Sequence, residues 1–407
     1  MESVYARSPQ NYGEHRIIHG MLDDDAYKTH MGQAMYHSGS GNIDAEFKFI
    51  SRTDEDLTPY LGEIRDEIER LADLRHTADT LRHLSKVPFI KDSYVDYLEN
   101  FRLKPRMVKV GVVDGKLDIR ARGPWQQISP FEIRILSIVS EIRNRHVYPD
   151  LSIEMVNESL IRKFEWLKAN ASVEELAEFK LAEFGTRRRI SFDAQKAVVR
   201  LLKNEFPGVF VGTSNYELAR EFDIKGIGTN AHEWFQAHQQ LGPRLIDSQK
   251  AAFDAWIKEY RGEAGVILTD CIGLDAFIRD FDGYFAKLFD GCRHDSGDPL
   301  VWGDRLIQHY ESLRIDPRTK SLIFSDGLNF EKSLAILRHF RGRINVSFGI
   351  GTYLTNGVDG VKPLNIVMKM VGCNGAPVAK ISDEPGKAVC EDPGFLKYLK
   401  QVNGIPT

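Results

Sequence analysis

The spacing of apolar positions changes several times along the chain, and each change predicts a different element. Leu61, Ile64, Ile68 and Leu71 recur at intervals of three and four, the period of a helix with one buried face. Val108, Val110 and Val112 instead alternate up to Asp114-Gly115, and Leu117 and Ile119 resume the alternation, so this stretch predicts a hairpin turned by Asp-Gly. After Pro130 the helical period returns through Phe131, Ile135, Ile138 and Ile142. Two further amphipathic helices fill Ile153 to Lys180, and no low-complexity linker divides the chain.

From Leu181 onward, short apolar runs ending in Gly, Thr, Ser or Asp alternate with helix-period segments. Leu181 to Phe184 leads into Gly185-Thr-Arg-Arg-Arg189, Val209 to Val211 into Gly212-Thr-Ser-Asn215, Ile224 to Ile227 into Gly228-Thr-Asn-Ala-His-Glu233, and Val266 to Leu268 into Thr269-Asp270. Phe285 to Leu288 leads towards Asp290-Gly-Cys-Arg-His-Asp-Ser-Gly-Asp298, Leu322 to Phe324 into Ser325-Asp-Gly-Leu-Asn329, and Val346 to Phe348 into Gly349-Ile-Gly-Thr352. An eighth strand, Ile366 to Val371, would close a ring. Seven or eight strand–helix units predict a parallel, TIM-like α/β barrel, which gathers its ligand site at the carboxyl ends of the strands. An open doubly wound sheet is the competing arrangement. Single loops of this composition are ordinary turns, but their common register at strand ends argues for one shared site.

Composition narrows what such a site binds. The 407 residues carry 54 Lys plus Arg against 58 Asp plus Glu, a formal charge of −4, so no global basic field exists for nonspecific nucleic-acid binding. Anions must be held by local groups. No apolar stretch is long enough to span a membrane and the start, Met1 to Arg16, is polar, so a cytoplasmic protein is expected. The four cysteines (Cys271, Cys292, Cys373, Cys390) form no C-x-x-C pair and are expected as buried thiols, and the histidines form no H-E-x-x-H pattern, so a structural metal is not expected.

Several strand-end clusters carry candidate chemistry. Gly349 and Gly351 with the Thr352 hydroxyl allow backbone N–H groups to approach a phosphate, although a tight turn would use the same residues. The third glycine of a dinucleotide fingerprint is missing, so a monophosphate fits better than NAD. Arg293-His-Asp-Ser-Gly-Asp298 concentrates charge around a glycine: Arg293 suits diphosphate or carboxylate oxygens, and Asp295 or Asp298 suits sugar hydroxyls or substrate-borne Mg²⁺. Asp298 also reads as a helix cap before Pro299. His232 stands at a helix mouth beside Glu233, where a structural imidazole is the commoner outcome and a functional one the sharper. Of Arg187, Arg188 and Arg189, turn geometry aims one or two inward, where one would suit a planar carboxylate; at least one reads as a solvated residue paired with nearby glutamates. Thr213-Ser-Asn215, Thr269-Asp270 and Ser325-Asp-Gly-Leu-Asn329 read individually as turns. Near the start, Asp23-Asp-Asp-Ala-Tyr27 opens a helix, and an exposed Tyr27 at its tip would stack on a planar ring.

In this order the clusters resemble the nicotinate phosphoribosyltransferase family, the type II phosphoribosyltransferases. The resemblance runs from D-D-A-Y-K-T-H-M near residue 24 through F-G-T-R-R-R, G-T-S-N, G-T-N-A-H-E, R-H-D-S-G-D-P and S-D-G-L-N to F-G-I-G-T. It implies an irregular α/β barrel over 131–374, with a second α+β domain formed by 1–130 and completed by about 375–407. It implies the joining of nicotinate to phosphoribosyl diphosphate in NAD biosynthesis, with Mg²⁺, with coupled ATP hydrolysis, and in a homodimer. Carried over by position, His232 is the phosphohistidine, and Arg293 and Asp295 hold the diphosphate and the ribose diol. Arg187 meets the nicotinate carboxylate together with Gly185 and Asp25, and Tyr27 stacks on the ring across the dimer interface. Ser296, Asp298, Asp326, Asn329, Gly349, Gly351, Thr352 and Thr213 make up the phosphoribosyl and diphosphate set. His294 receives no role, and no metal ligands are assigned.

Two other functions compete. A nicotinamide-using relative on the same fold would favour a carboxylate near the ring to accept the amide N–H, whereas Arg187 favours an acid. A nonenzymatic nucleotide-binding barrel would dispense with the polar strand-end residues that only chemistry needs.

Overall fold

Two sheets with different strand chemistry organise the chain. The computed structural model describes residues 2–5, 16–384 and 387–406; the polar start, Met1 to Arg16, lies for the most part outside them. Strand β1 (Asp44–Ser51) alternates buried and less buried positions, and β2 (Val108–Val113) and β3 (Lys116–Pro124) form the hairpin expected from their alternation, turned at Asp114-Gly115. Asp114 and Gly115 both take positive φ there, which the Asp-Gly pair accepts with little strain.

The parallel sheet contains β4 (Leu181–Glu183), β5 (Phe210–Thr213), β6 (Val266–Leu268), β7 (Gly291–His294), β8 (Ser321–Phe324) and β9 (Asn345–Ile350), in the order β5-β4-β9-β8-β7-β6. Between its edges β5 and β6 runs the irregular segment 225–230. Thr213 N donates to Lys225 O (3.2 Å) and Ile227 N to Thr213 O (2.8 Å), while the Asn230 side chain donates to Val266 O (3.1 Å) and accepts from Leu268 N (3.2 Å). A stave with no strand of its own thus bridges the gap, and the irregular barrel, not the open sheet, is the arrangement found. Ile224 to Ile227, expected as a strand, forms only an isolated bridge from Gly226 to Thr213.

Two other expectations fail for physical reasons. Phe285 to Leu288 lies in a helix, Gly283–Leu288, because Phe281, Phe285 and Phe289 repeat at helical spacing and the Asp282 carboxylate caps the helix, accepting from Tyr284 N and Phe285 N. The strand follows it as β7, whose Arg293 and His294 hide its character. Ile366 to Val371 does not close the ring. Within β10 (Ile366–Cys373) it pairs antiparallel with β1 on one side and with β11 (Ala376–Pro377) on the other, giving the sheet β11-β10-β1-β3-β2.

Helix Phe131–Val147 is buried without interruption from Phe131 to Asn144 and packs against the turn after β4 and against β10. Its small polar residues are spaced for that turn: Ser137 Oγ donates to Thr186 O (2.8 Å), Ser140 Oγ to Arg189 O (2.8 Å) and Asn144 Nδ2 to Ile190 O (3.4 Å). The helix expected around Leu61 to Leu71 spans Leu61–Arg70 and tightens into a 3₁₀ turn, and helices Ile153–Asn170 and Val173–Glu178 fill the predicted stretch. One apolar core runs through both sheets, joining Phe47 and Ile119 to Leu181 and Phe324. Cys271, Cys292 and Cys373 are buried thiols, while Cys390 is only partly so. Among the described residues no helix is long and apolar enough to cross a membrane.

Candidate active site

The carboxyl ends of the parallel strands open into a cavity of about 570 Å³, closed on one side by β10 of the other sheet. Of the fifteen site residues expected, eleven line it: Asp25, Tyr27, Gly185, Arg187, His232, Arg293, Asp295, Asp326, Gly349, Gly351 and Thr352. Seven basic side chains line it against five acidic ones, so the cavity is locally positive in a chain of net negative charge. The other four stand back from the lining because their side chains have partners within the fold. Thr213 Oγ1 donates to Glu183 (2.6 Å), Ser296 Oγ donates to Asp270 (2.6 Å), and Asp298 and Asn329 cap helices Pro299–Ser312 and Phe330–Phe340.

At one end of the cavity the three consecutive aspartates near the amino terminus each take a separate partner. Asp23 accepts a bidentate bond from Arg189 (2.6 and 2.9 Å), Asp24 pairs with Arg134 (2.5 Å), and Asp25 accepts from Ser214 Oγ (2.6 Å). Main-chain bonds from Ala26 N to Ser214 O and from Tyr216 N to Asp24 O lay this segment along the end of β5. The Gly212-Thr-Ser-Asn215 cluster is therefore the dock that presents Tyr27, not a turn alone. Tyr27 is 8% exposed and lines the cavity, a correction to the exposed helix tip that was expected. The packing gives the reason: a Cβ on Gly228 would lie 2.6 Å from Tyr27 N, so the barrel and the helix start meet in close contact.

The arginine run divides by role. Arg189 is fully buried against Asp23, an aspartate, so the paired member is neither solvated nor bound to a glutamate. Arg188 Nε donates to Ile366 O (3.0 Å) and also lines the cavity. Arg187 faces the cavity half-buried, and no hydrogen bond or ion pair reaches its guanidinium among the described residues. Burial opposes its charge, but Tyr27, Asp25, Glu132 and Asp295 outweigh burial and hold it more firmly protonated than usual.

The glycines have a different reason from the one expected. A Cβ on Gly349 would lie 2.3 Å from the Phe184 ring and one on Gly351 2.7 Å from Phe184 O, so close packing between β9 and β4 requires both. The segment they lead into still offers donors, because no acceptor among the described residues takes the N–H of Gly351, Thr352 or Tyr353.

At the opposite end, His232 opens helix His232–Leu241, which is strapped to the second sheet through Gln236 Nε2 to Met370 O (2.9 Å) and Gln240 Nε2 to Pro377 O (2.7 Å). His232 Nε2 lies 2.8 Å from Asp270 and 3.6 Å from Asp295. Burial, then the Lys380 charge, push the imidazole down to about 4 despite Asp270, so it is neutral near pH 7, with its proton on Nε2 towards Asp270 and its lone pair on Nδ1. Asp270 also takes Lys380 Nζ (2.9 Å) and Ser296 Oγ, three donors for one carboxylate, which stays ionised. Arg293 donates from Nη1 to Asn230 O (3.1 Å), and its buried Nε has no partner among the described residues.

The ligand atoms of His232, Asp270 and Asp295 lie within 4.8 Å of one another, but Lys380 already balances Asp270, which leaves that trio poorly suited to a cation. Asp295 and Asp326 are better suited, since their nearest basic groups lie 3.6 and 3.5 Å away and both offer the hard oxygens Mg²⁺ prefers. Asp326 is pushed up by burial and by the charge of Asp295, a repulsion that a bound cation would relieve.

Sequence reasoning missed Asp270, Lys380, Glu132 and Lys369, all of which face or support the cavity. Asp270 carried a usable signal, since it ends the Val-Ile-Leu-Thr-Asp run at a strand terminus. So did Lys369, a single charge inside an apolar strand. Lys380 and Glu132 carried none, because their place depends on how the second sheet and helix Phe131–Val147 pack.

The chain matches the model of the nicotinate phosphoribosyltransferase family over residues 179–407 and the model of that family's N-terminal domain over residues 22–140. It is 56% identical over 405 residues to nicotinate phosphoribosyltransferase 1 of Pseudomonas aeruginosa, covering 100% of this chain and 99% of that protein. It is 57% identical over 401 residues to nicotinate phosphoribosyltransferase of Ectopseudomonas mendocina, covering 98% of each. A crystal structure of nicotinate phosphoribosyltransferase from Vibrio cholerae superposes with a TM-score of 0.94 at 41% identity, covering 98% of this chain and 97% of that one.

Proposed function

The chain belongs to the nicotinate phosphoribosyltransferase family, and from that premise we propose that its cavity joins nicotinate to phosphoribosyl diphosphate, releasing diphosphate, as a cytoplasmic enzyme of NAD biosynthesis. The observation that carries the reading is Arg187, a half-buried guanidinium with no hydrogen-bond or ion-pair partner among the described residues, beside Tyr27 in the same cavity. A planar aromatic acid satisfies both groups, its carboxylate on Arg187 and its ring against the tyrosine. An amide would leave that charge unmatched, which disfavours nicotinamide.

The chemistry asks little of a general base. The pyridine nitrogen forms a bond to the anomeric carbon while the bond from that carbon to the diphosphate oxygen breaks, and no proton moves. Charge builds on the ribosyl ring and on the departing oxygen, so fixed charges and hydrogen-bond donors supply the rate. In this reading Asp295 accepts from the ribose hydroxyls, Arg293 meets the diphosphate, and the free N–H groups at 351–353 meet the 5′-phosphate. Magnesium ions carried by the substrates would sit against Asp295 and Asp326 and neutralise diphosphate oxygens.

ATP coupling enters through His232. Its neutral Nδ1 attacks the terminal phosphorus, the new N–P bond forms as the P–O bond to ADP breaks, and Asp270 holds the Nε2 proton throughout. The homodimer implied by the family resemblance belongs to the reading as well.

The test is competition between the two pyridines. Wild-type protein with Mg²⁺ and phosphoribosyl diphosphate is expected to make mononucleotide from nicotinate and none from nicotinamide. Arg187→Met should raise the nicotinate KM by about tenfold to a hundredfold, the worth of a charged hydrogen-bonded pair, and leave that for phosphoribosyl diphosphate nearly unchanged. Equal use of both pyridines would overturn the assignment of Arg187.

A further inference from the structure

Lys369 is the one charged residue in β10, between the buried Met368 and Met370. Its half-buried side chain lines the cavity, and among the described residues no carboxylate or hydrogen-bond acceptor reaches its ammonium. The other buried or cavity-lining lysines of the site are matched: Lys28 lies 2.6 Å from both Glu132 and Glu233, Lys380 lies 2.9 Å from Asp270, and Lys387 pairs with Glu384 and lies 3.5 Å from Asp326. The charged groups within electrostatic reach of Lys369 come from both ends of the cavity, Arg187 and Glu132 from the ring end and Lys380, Asp295 and His232 from the phosphate end. Burial lowers its titration to about 8, with Glu132 resisting and Lys380 and Arg187 adding to the fall. An ammonium held among two other cations without a partner of its own is stabilised when an anion arrives.

We propose that Lys369 is a further substrate-binding residue, offering its ammonium to the oxygens of the departing diphosphate where the ring and phosphate ends of the cavity meet. This rests on the reading of the cavity as a phosphoribosyl-transfer site. As the bond between the anomeric carbon and oxygen breaks, the electron pair remains on the diphosphate oxygen. A cation fixed beside that oxygen stabilises it without giving up a proton. Arg187 is committed to the ring end and Lys380 to Asp270, which leaves Lys369 as the unpaired charge between them.

The experiment compares wild type with Lys369→Met and Lys369→Arg in two assays: calorimetric binding of inorganic diphosphate, which needs no turnover, and steady-state kinetics with each substrate varied. Lys369→Met is expected to weaken inorganic diphosphate at least tenfold and to lower kcat about a hundredfold, in the range seen when one charge-stabilising donor is removed, with the nicotinate KM within twofold. Lys369→Arg should recover most of the diphosphate affinity. Lys369→Gln takes the place of Lys369→Met if the latter does not fold. Unchanged diphosphate affinity and kcat would overturn the proposal, and so would a loss confined to the nicotinate KM. If wild type binds inorganic diphosphate through Lys369 yet makes no mononucleotide, the functional reading fails and the anion-site assignment stands.

Discussion

His232 shows how far one residue's surroundings change its chemistry. An imidazole in water titrates near 6.5, so a reaction needing its neutral form would lose half its rate at that pH. Here burial and Lys380 lower the value to about 4, and the neutral form persists through the mildly acidic range. Formation of the phosphorylated enzyme from ATP is therefore expected to stay level between pH 8 and pH 5.5, measured as acid-labile label per subunit in rapid-quench experiments. A half-drop near pH 6.5 would contradict it. Asp270→Asn should slow the same step about tenfold to a hundredfold, because an amide fixes the imidazole's tautomer less well and leaves Lys380 unmatched. The histidine was legible in the sequence as a residue at a helix mouth. Its pairing with Asp270 was not, because the two lie 38 positions apart and only the barrel brings them within 2.8 Å.

Elements were legible where periodicity had one cause and obscure where two competed. The hairpin at Asp114-Gly115 and helix Phe131–Val147 followed from spacing alone. The run at Phe285 misled because three phenylalanines four apart make an apolar run and a helical face at once, and β10 misled because burial on both sides gives an antiparallel strand the uniform look of a parallel one. The turn carrying Arg187 depends on an element-scale clamp: Ser137, Ser140 and Asn144 hold its carbonyls, and Arg189 ties it to Asp23. Removing one partner of a buried pair leaves the other uncompensated. Arg189→Met is expected to destabilise the fold by about 3–5 kcal/mol, read as a lower urea midpoint at constant slope, and a change under about 1 kcal/mol would show that the clamp contributes little.

At the scale of the molecule, charge is distributed against the overall balance. The chain carries −4 formally, while its cavity gathers seven basic and five acidic side chains. Attraction of a polyanionic substrate is then local and sensitive to salt. Raising ionic strength from about 0.05 to 0.5 M, which shortens the screening length severalfold, should raise the KM for phosphoribosyl diphosphate more than that for nicotinate, while the melting temperature changes little. Equal shifts in both constants would argue against a polyanion subsite. The barrel itself was legible from strand-end glycines and hydroxyls in common register. The strandless form of its stave at 225–230 and its wall from β10 were not, since both depend on pairings between segments far apart in the chain.

The most direct measurement is mononucleotide formed from nicotinate and phosphoribosyl diphosphate with Mg²⁺, with and without ATP, by wild type and by His232→Ala. The account predicts nicotinate mononucleotide from both proteins, raised by ATP in wild type with ADP appearing alongside, and unaffected by ATP in His232→Ala. Stimulation by ATP that survives the loss of His232, or no product from nicotinate at all, would contradict it.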